Sequence, residues 1–305
     1  MLSHEQIEFY REQGYLLVED AVEEPLLERL RASTYEMIER SRAVTASDAV
    51  FDLDEGHSAA QPKLTRIKQP HVHLPAFFDV LHSPRVKAVL QALLGPTVRL
   101  QTTKLNTKAP GGGAAVEWHQ DWAFYPHTND DLLALGLMIE DVDEANGPLM
   151  VVPGSHKGPV LSHFANGVFA GAVDPGDPLF ERDKAVTLAG RAGSMSVHHV
   201  RLLHGSAPNM SDRARLICFY ELAAADAWPL AGASTAFAGL DQQQVWDKIR
   251  SGTLYGEPTV QPRLASVPVL LPLPPAPDSG SIFKIQKSAG AVSAFTPTEQ
   301  RDNAA

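Results

Sequence analysis

Trp118-His119-Gln120-Asp121-Trp122 is the stretch on which the reading of this chain turns. Residues two apart on a strand point to one face, so His119 and Asp121 can reach the same metal ion. A second imidazole, His204, then has to come from a strand distant in sequence and adjacent in space. Two imidazoles and one carboxylate hold non-haem Fe(II) on one face and leave the other face open. Arg215, eleven residues past His204, offers a planar fork of donors to a carboxylate of an organic cosubstrate. The pattern reads as an oxygenase using Fe(II), 2-oxoglutarate and O2.

The tripeptide alone carries little. With 12 His and 36 Asp+Glu in 305 residues, about one His-x-Asp/Glu arises by chance. The flanking Trp118 and Trp122 raise its weight, because large apolar rings limit water access to a metal. Pro110-Gly111-Gly112-Gly113 precedes the pair as a loop, and no Gly-Lys-Ser/Thr follows to make it a phosphate cradle.

Several ordered segments resemble the phytanoyl-CoA dioxygenase family of Fe(II)/2-oxoglutarate oxygenases. They are Gly14 to Val18, Trp118 to Asp121, Asn146 to Lys157 (NGPLMVVPGSHK) and His204 to Asn209 (HGSAPN), with Arg215 at the family's spacing. The resemblance spans about residues 4–225 and speaks to family rather than substrate. It implies His119, Asp121 and His204 as iron ligands and Arg215 as partner of the distal carboxylate of 2-oxoglutarate, helped by Ser206. It also implies that Gln120 and Lys104 line the cosubstrate, with Arg66 standing in for a family lysine nearby. Where some members place a Trp beside the cosubstrate, this chain shows Leu137.

Other candidates have plainer readings. His156 is a turn residue in Pro153-Gly154-Ser155. Of the adjacent His198 and His199 only one can face the interior, as a residue supporting the metal ligands, a substrate candidate or a satisfied core histidine. Arg213 shares Arg215's parity, so family spacing decides between them. Cys218, the single cysteine, excludes an intrachain disulfide, reads as a small buried hydrophobe and suits a reducing cytoplasm.

The sequence predicts one oxygenase domain over 1–305, mainly β with helical additions: a double-stranded β-helix (jelly roll, cupin-like) braced by N-terminal helices. Residues 1–96 read as helical support, with Ser3 and Gln6 a capping box and Gly95 closing a helix that opens at Ser83-Pro84. Residues 97–225 carry the strands Val98 to Thr107, Leu133 to Glu140, Leu149 to Val152, Ser194 to Val200 and Arg215 to Leu222. Residues 226–256 read as an insertion near the active site, with a helix from Asp241 to Arg250. Residues 257–305 form a Pro-rich tail expected to run over the outside, ending in a frayed terminus.

A net charge of −10 argues against a nucleic-acid partner. With no run of eighteen apolar residues, the expectation is a cytoplasmic enzyme with a small-molecule substrate and no membrane, a homodimer being left open. Its expected reaction is hydroxylation, or another oxidation, of a small organic molecule with release of succinate and CO2. Because Asp121 is present, the pattern differs from that of halogenases, which lack the carboxylate. The rival readings are a non-catalytic jelly-roll binding protein, a zinc hydrolase, which would not need Arg215, and an acyl-CoA hydroxylase within the family. Substrate walls are expected from 122–129 and from the insertion.

Overall fold

A computed structural model describes residues 2–230, 239–278 and 280–295. The predicted capping box opens α1 (His4–Gln13): Ser3 Oγ accepts from Gln6 N, and Gln6 Oε1 accepts from Ser3 N. Gly14 ends the helix at φ 81°, and a Cβ there would stand 2.5 Å from His156 Nδ1. Then follow β1 (Tyr15–Val18), α2 (Glu24–Arg40), β2 (Phe51–Leu53) and β3 (Leu64–Lys68). Three helices each carry Pro in the first turn: α3 (Pro70–His73), α4 (Pro75–His82) and α5 (Pro84–Leu94).

The strand-rich part begins with β4 (Val98–Lys108), β5 (Val116–His119), β6 (Leu132–Met138) and β7 (Leu149–Val151). It continues through β8 (Phe164–Ala165), β9 (Val168–Phe169), β10 (Val186–Leu188), β11 (Met195–His199), β12 (His204–Ser206) and β13 (Arg215–Ala224). After it come α6 (Gln242–Gly252), β14 (Thr253–Tyr255) and α7 (Ile282–Ser288).

Two main sheets result. The larger runs β1-β11-β6-β13-β4-β3-β2, with β14 added to β4; the smaller runs β10-β7-β12-β5. The architecture is therefore mixed α/β, and neither sheet closes on itself, so the barrel of the sequence reading is an open pair of sheets. The first 96 residues are not only helical support, because β1, β2 and β3 extend both edges of the larger sheet. β1 falls in the Gly14 to Val18 segment that resembles the family's N-terminal strand, whereas β2 and β3, three and five residues long, were too short to show.

Strand β13 shows why the sheets face each other. Every one of its residues is buried. Leu216, Cys218, Tyr220 and Leu222 pack into the helix-side core with Leu30, Phe77 and Leu90. Ile217 and Phe219 point the other way, against Leu149, Val151 and Leu188 of the smaller sheet. Burying a side chain of this size contributes roughly 1.5–3 kcal/mol. Tyr220 also donates from its hydroxyl to Phe77 O at 2.8 Å, fixing α4 on the sheet. The row of Ile217 and Phe219 also carries two polar residues, Arg215, which lines an inner cavity, and Glu221, which lines an outer chamber.

The tail differs from expectation. Residues 257–278 do cross the surface without helix or strand, tied at Trp122 Nε1 to Pro268 O (2.9 Å) and Asn129 Nδ2 to Arg263 O (3.1 Å). Beyond them α7 turns back inward. Its Gln286 is buried, and bonds to Glu117 N (3.1 Å) and Gly171 O (2.9 Å). Ser281 caps the helix by accepting from Lys284 N. The frayed terminus read at 301–305, and 231–238 within the insertion, lie outside the described residues.

Candidate iron and cosubstrate site

His119 ends β5, and His204 opens β12 directly across from it. Asp121 sits one step past the strand, in a 3-10 turn that begins there. Each ring is fixed through Nδ1, which donates to a backbone carbonyl two residues back: Glu117 O for His119 and Leu202 O for His204, both at 2.8 Å. Nε2 of each imidazole is then a free lone pair. Those nitrogens lie 3.7 and 3.9 Å from the same oxygen, Asp121 Oδ1. One ion about 2 Å from each atom can be shared at this spacing. Among the described residues, these three alone form such a metal-binding group.

The electrostatics suit a cation. Burial pushes the His119 imidazole down to about 4 and His204 well below the usual histidine range, so both stay neutral at physiological pH. Burial opposes ionisation of Asp121, yet His198, His204, Lys104 and His119 together hold it well below the usual carboxylate range. A ready anion and two ready imidazoles need lose no proton to take a metal.

This burial makes a prediction for the metal-free protein. His119 and His127 are pushed to about 4 and His163 to about 3, from an ordinary 6.5, all mainly by desolvation. A lowered folded pKa means that the unfolded chain binds more protons in this window, so stability falls as pH drops from about 6.5 towards 4. At pH 5 each contributes a loss of roughly 2 kcal/mol. Urea midpoints at pH 7.5 and pH 5 should therefore differ clearly, and equal midpoints would contradict the assignment.

At the inner end of the cavity Arg215 is buried, and no acidic side chain among the described residues pairs with it. Its Nε has no partner. Its cross-strand neighbour is a second buried cation, Lys108, which donates to Ser206 Oγ (2.8 Å), Ser206 O (3.1 Å) and Ala207 O. Burial lowers Arg215 to about 9, leaving it charged at neutral pH, while burial and then Arg215 push Lys108 well below the lysine range. A buried guanidinium with no acidic partner is costly without an anion. Ser206 accepts from Lys108 and keeps its own proton to give.

The other sequence candidates fall in different places. Lys104 lines both the inner cavity and an outer chamber, and bonds Glu221 Oε1 at 2.7 Å. Gln120 does not line the cavity: it donates to Arg201 O (2.8 Å) and accepts from Leu161 N (2.8 Å), on the face opposite its neighbours. Arg66 stands in the outer chamber, 2.6 Å from buried Asp52, and reaches Gly280 O. Leu137 belongs to the helix-side core, and the β6 residue that lines the cavity is Ala134, three positions earlier on the opposite face. Arg213 is exposed and pairs with Asp143, which leaves Arg215 as the buried one. His156 packs in its turn, bonding Arg11 O at 3.0 Å.

Of the adjacent histidines, His198 faces the cavity and His199 stacks near His156. The outer chamber is bounded by Phe124, Tyr125, Thr103 and Glu221, and by Ile282 and Ile285 of α7. Of residues 122–129, Phe124 and Tyr125 line the outer chamber, whereas none of the described residues of 226–256 lines either space. That segment packs on the start of β4 instead, through β14. Sequence reading missed Lys108 and α7. The signals were Lys108's shared parity with Lys104 and the Ser281 cap ahead of Ile282 and Ile285.

Residues 10–217 match the Phytanoyl-CoA dioxygenase (PhyH) family model, and the chain belongs to this family. It is 32% identical over 288 residues to a probable alpha-ketoglutarate-dependent hypophosphite dioxygenase of Stutzerimonas stutzeri, covering 93% of this chain and 97% of that protein. It is 29% identical over 237 residues to the peroxisomal phytanoyl-CoA dioxygenase of Rattus norvegicus, covering 72% of this chain and 68% of that one. The fold resembles that of EctD from S. alaskensis, solved with 2-oxoglutarate and 5-hydroxyectoine, at TM-score 0.63 and 21% identity, covering 89% of each chain. The chain is an Fe(II)- and 2-oxoglutarate-dependent dioxygenase that oxidises a small substrate, with His119, Asp121 and His204 as the iron triad.

Proposed function

We propose that this dioxygenase oxygenates a compact polar substrate in the outer chamber, with 2-oxoglutarate lodged in the inner cavity. The observation that carries the cosubstrate's placement is the unpartnered, buried Arg215 beside Lys108. A dicarboxylate reaching from the metal gives both cations a counterion, with Ser206 donating to the same carboxylate and Lys104 closing the side towards the chamber. Bound Fe(II) and 2-oxoglutarate activate O2, one oxygen atom leaving in succinate and the other entering the substrate. The protein contributes orientation and exclusion of water, through Phe219, Ile217 and Ile282 along the cavity wall.

Hypophosphite is the first substrate to try. The matched protein of that name aligns over nearly its whole length, and the chamber is polar, with Lys104, Tyr125 and Glu221 around its inner edge. Oxygenation of a P–H bond would convert hypophosphite to phosphite as 2-oxoglutarate becomes succinate and CO2. An acyl-CoA is less well served, since Arg66 and Lys68 already share Asp52. The pair of sheets forms the two faces of a double-stranded β-helix, and the enzyme works in the reducing cytoplasm without nucleic acid. Protein reconstituted with Fe(II) and 2-oxoglutarate should form succinate at least about tenfold faster with hypophosphite, with phosphite in equal amount. Succinate at only the unstimulated rate would remove hypophosphite as the substrate.

A further inference from the structure

His198 is fully buried, and neither ring nitrogen has a hydrogen-bond partner. Leaving a polar group in that state costs roughly 1–3 kcal/mol, so an imidazole placed there needs a reason. Its position supplies one. The ring lies against His204, centroids 4.3 Å apart, with Phe219 at 6.2 Å on its other side. Its cross-strand neighbours are Tyr15 on β1 and the small Ala134 on β6. Nε2 is 3.5 Å from Asp121 Oδ2. That is the carboxylate oxygen that does not face His119 and His204, whose Nε2 atoms approach Oδ1.

The two oxygens of Asp121 are thus divided. Oδ1 is turned to the shared metal position, and Oδ2 to His198. A carboxylate with both oxygens free can swing to grip an ion with two atoms, taking a coordination position that cosubstrate or O2 needs. A donor on the outer oxygen prevents this by fixing the plane of the group. We propose that His198 is a positioning residue: it donates from Nε2 to Asp121 Oδ2 and holds the aspartate as a one-oxygen ligand. At 3.5 Å the contact is longer than a good hydrogen bond, and a small rotation of either side chain would bring it within range. The proposal concerns the metal and is independent of which substrate the enzyme takes.

The test uses full-length metal-free protein titrated with Co(II), whose visible absorption reports both affinity and coordination. His198→Phe keeps the ring and removes the donor; it should weaken Co(II) binding about 10- to 100-fold and alter the band shape. His198→Gln retains an N–H of similar reach and should recover most of that loss. Should the Phe variant fail to fold by circular dichroism, His198→Leu takes its place in the same comparison. Unchanged affinity and spectrum in the donor-free variant would overturn the proposal. So would a loss that His198→Gln does not recover, accompanied by the spectrum of a site lacking one nitrogen, because His198 would then be a ligand itself.

Discussion

Replacing His119, Asp121 or His204 by Ala should abolish 2-oxoglutarate turnover and lower Fe(II) affinity by orders of magnitude. Each change removes one of three protein ligands. Asp121→Ala has a further consequence. The negative charge that balances the ion is lost, and His198 and His204 are left facing an uncompensated cation. The His204→Ala protein tests geometry most directly, since His204 stands alone across the strand pair from the other two ligands. The measurement is Fe(II) binding by equilibrium dialysis under argon, together with succinate formation. Near-normal turnover in any one variant would remove that residue from the iron site.

The second large effect concerns Arg215. Truncation to Ala takes away the buried fork and leaves Lys108 as the only cation at the inner end. A charge-assisted contact of this kind contributes about 2–3 kcal/mol, so the 2-oxoglutarate requirement should rise roughly 30- to 150-fold. Arg215→Lys should recover only part, because a point charge lacks the planar pair of donors. Iron affinity without cosubstrate should hardly change, which separates this variant from the triad. Arg213 is the internal control: exposed and paired with Asp143, it should be replaceable at little cost. A larger effect from Arg213→Ala would reverse the assignment.

The ligands were legible in the sequence because metal chemistry restricts the residue types and strand parity restricts their spacing. The same parity, applied one position further, would have turned Gln120 away from the cavity: His119 and Asp121 share a face, so the residue between them cannot. Leu137, read as a departure from the family's Trp, points into the helix-side core, so the contact is missing there. Helices with caps, such as α1 and α5, were read closely. Strands β2 and β3 were not, because three to five residues give alternation too little length to show. In the tail, recurring prolines dominated the composition and masked the seven-residue helix that returns to the site. Lys108 was overlooked because a lysine at a strand end is ordinarily solvated, and only the fold shows it inside.

The chamber wall formed by α7 also bears on the order in which the protein is made. Ribosomes extend a chain from its N-terminus, so His119, Asp121 and His204 emerge well before Ile282, Ile285 and Gln286. For that interval the metal ligands can come together while the wall and the Gln286 contacts to β5 are still missing. A growing chain that picked up iron then would oxidise 2-oxoglutarate beside an open doorway, exposing its own aromatic side chains to the products. Late arrival of the wall makes delayed metal loading an advantage in the cell, and makes the distal end of this chain a poor place for a bulky fusion.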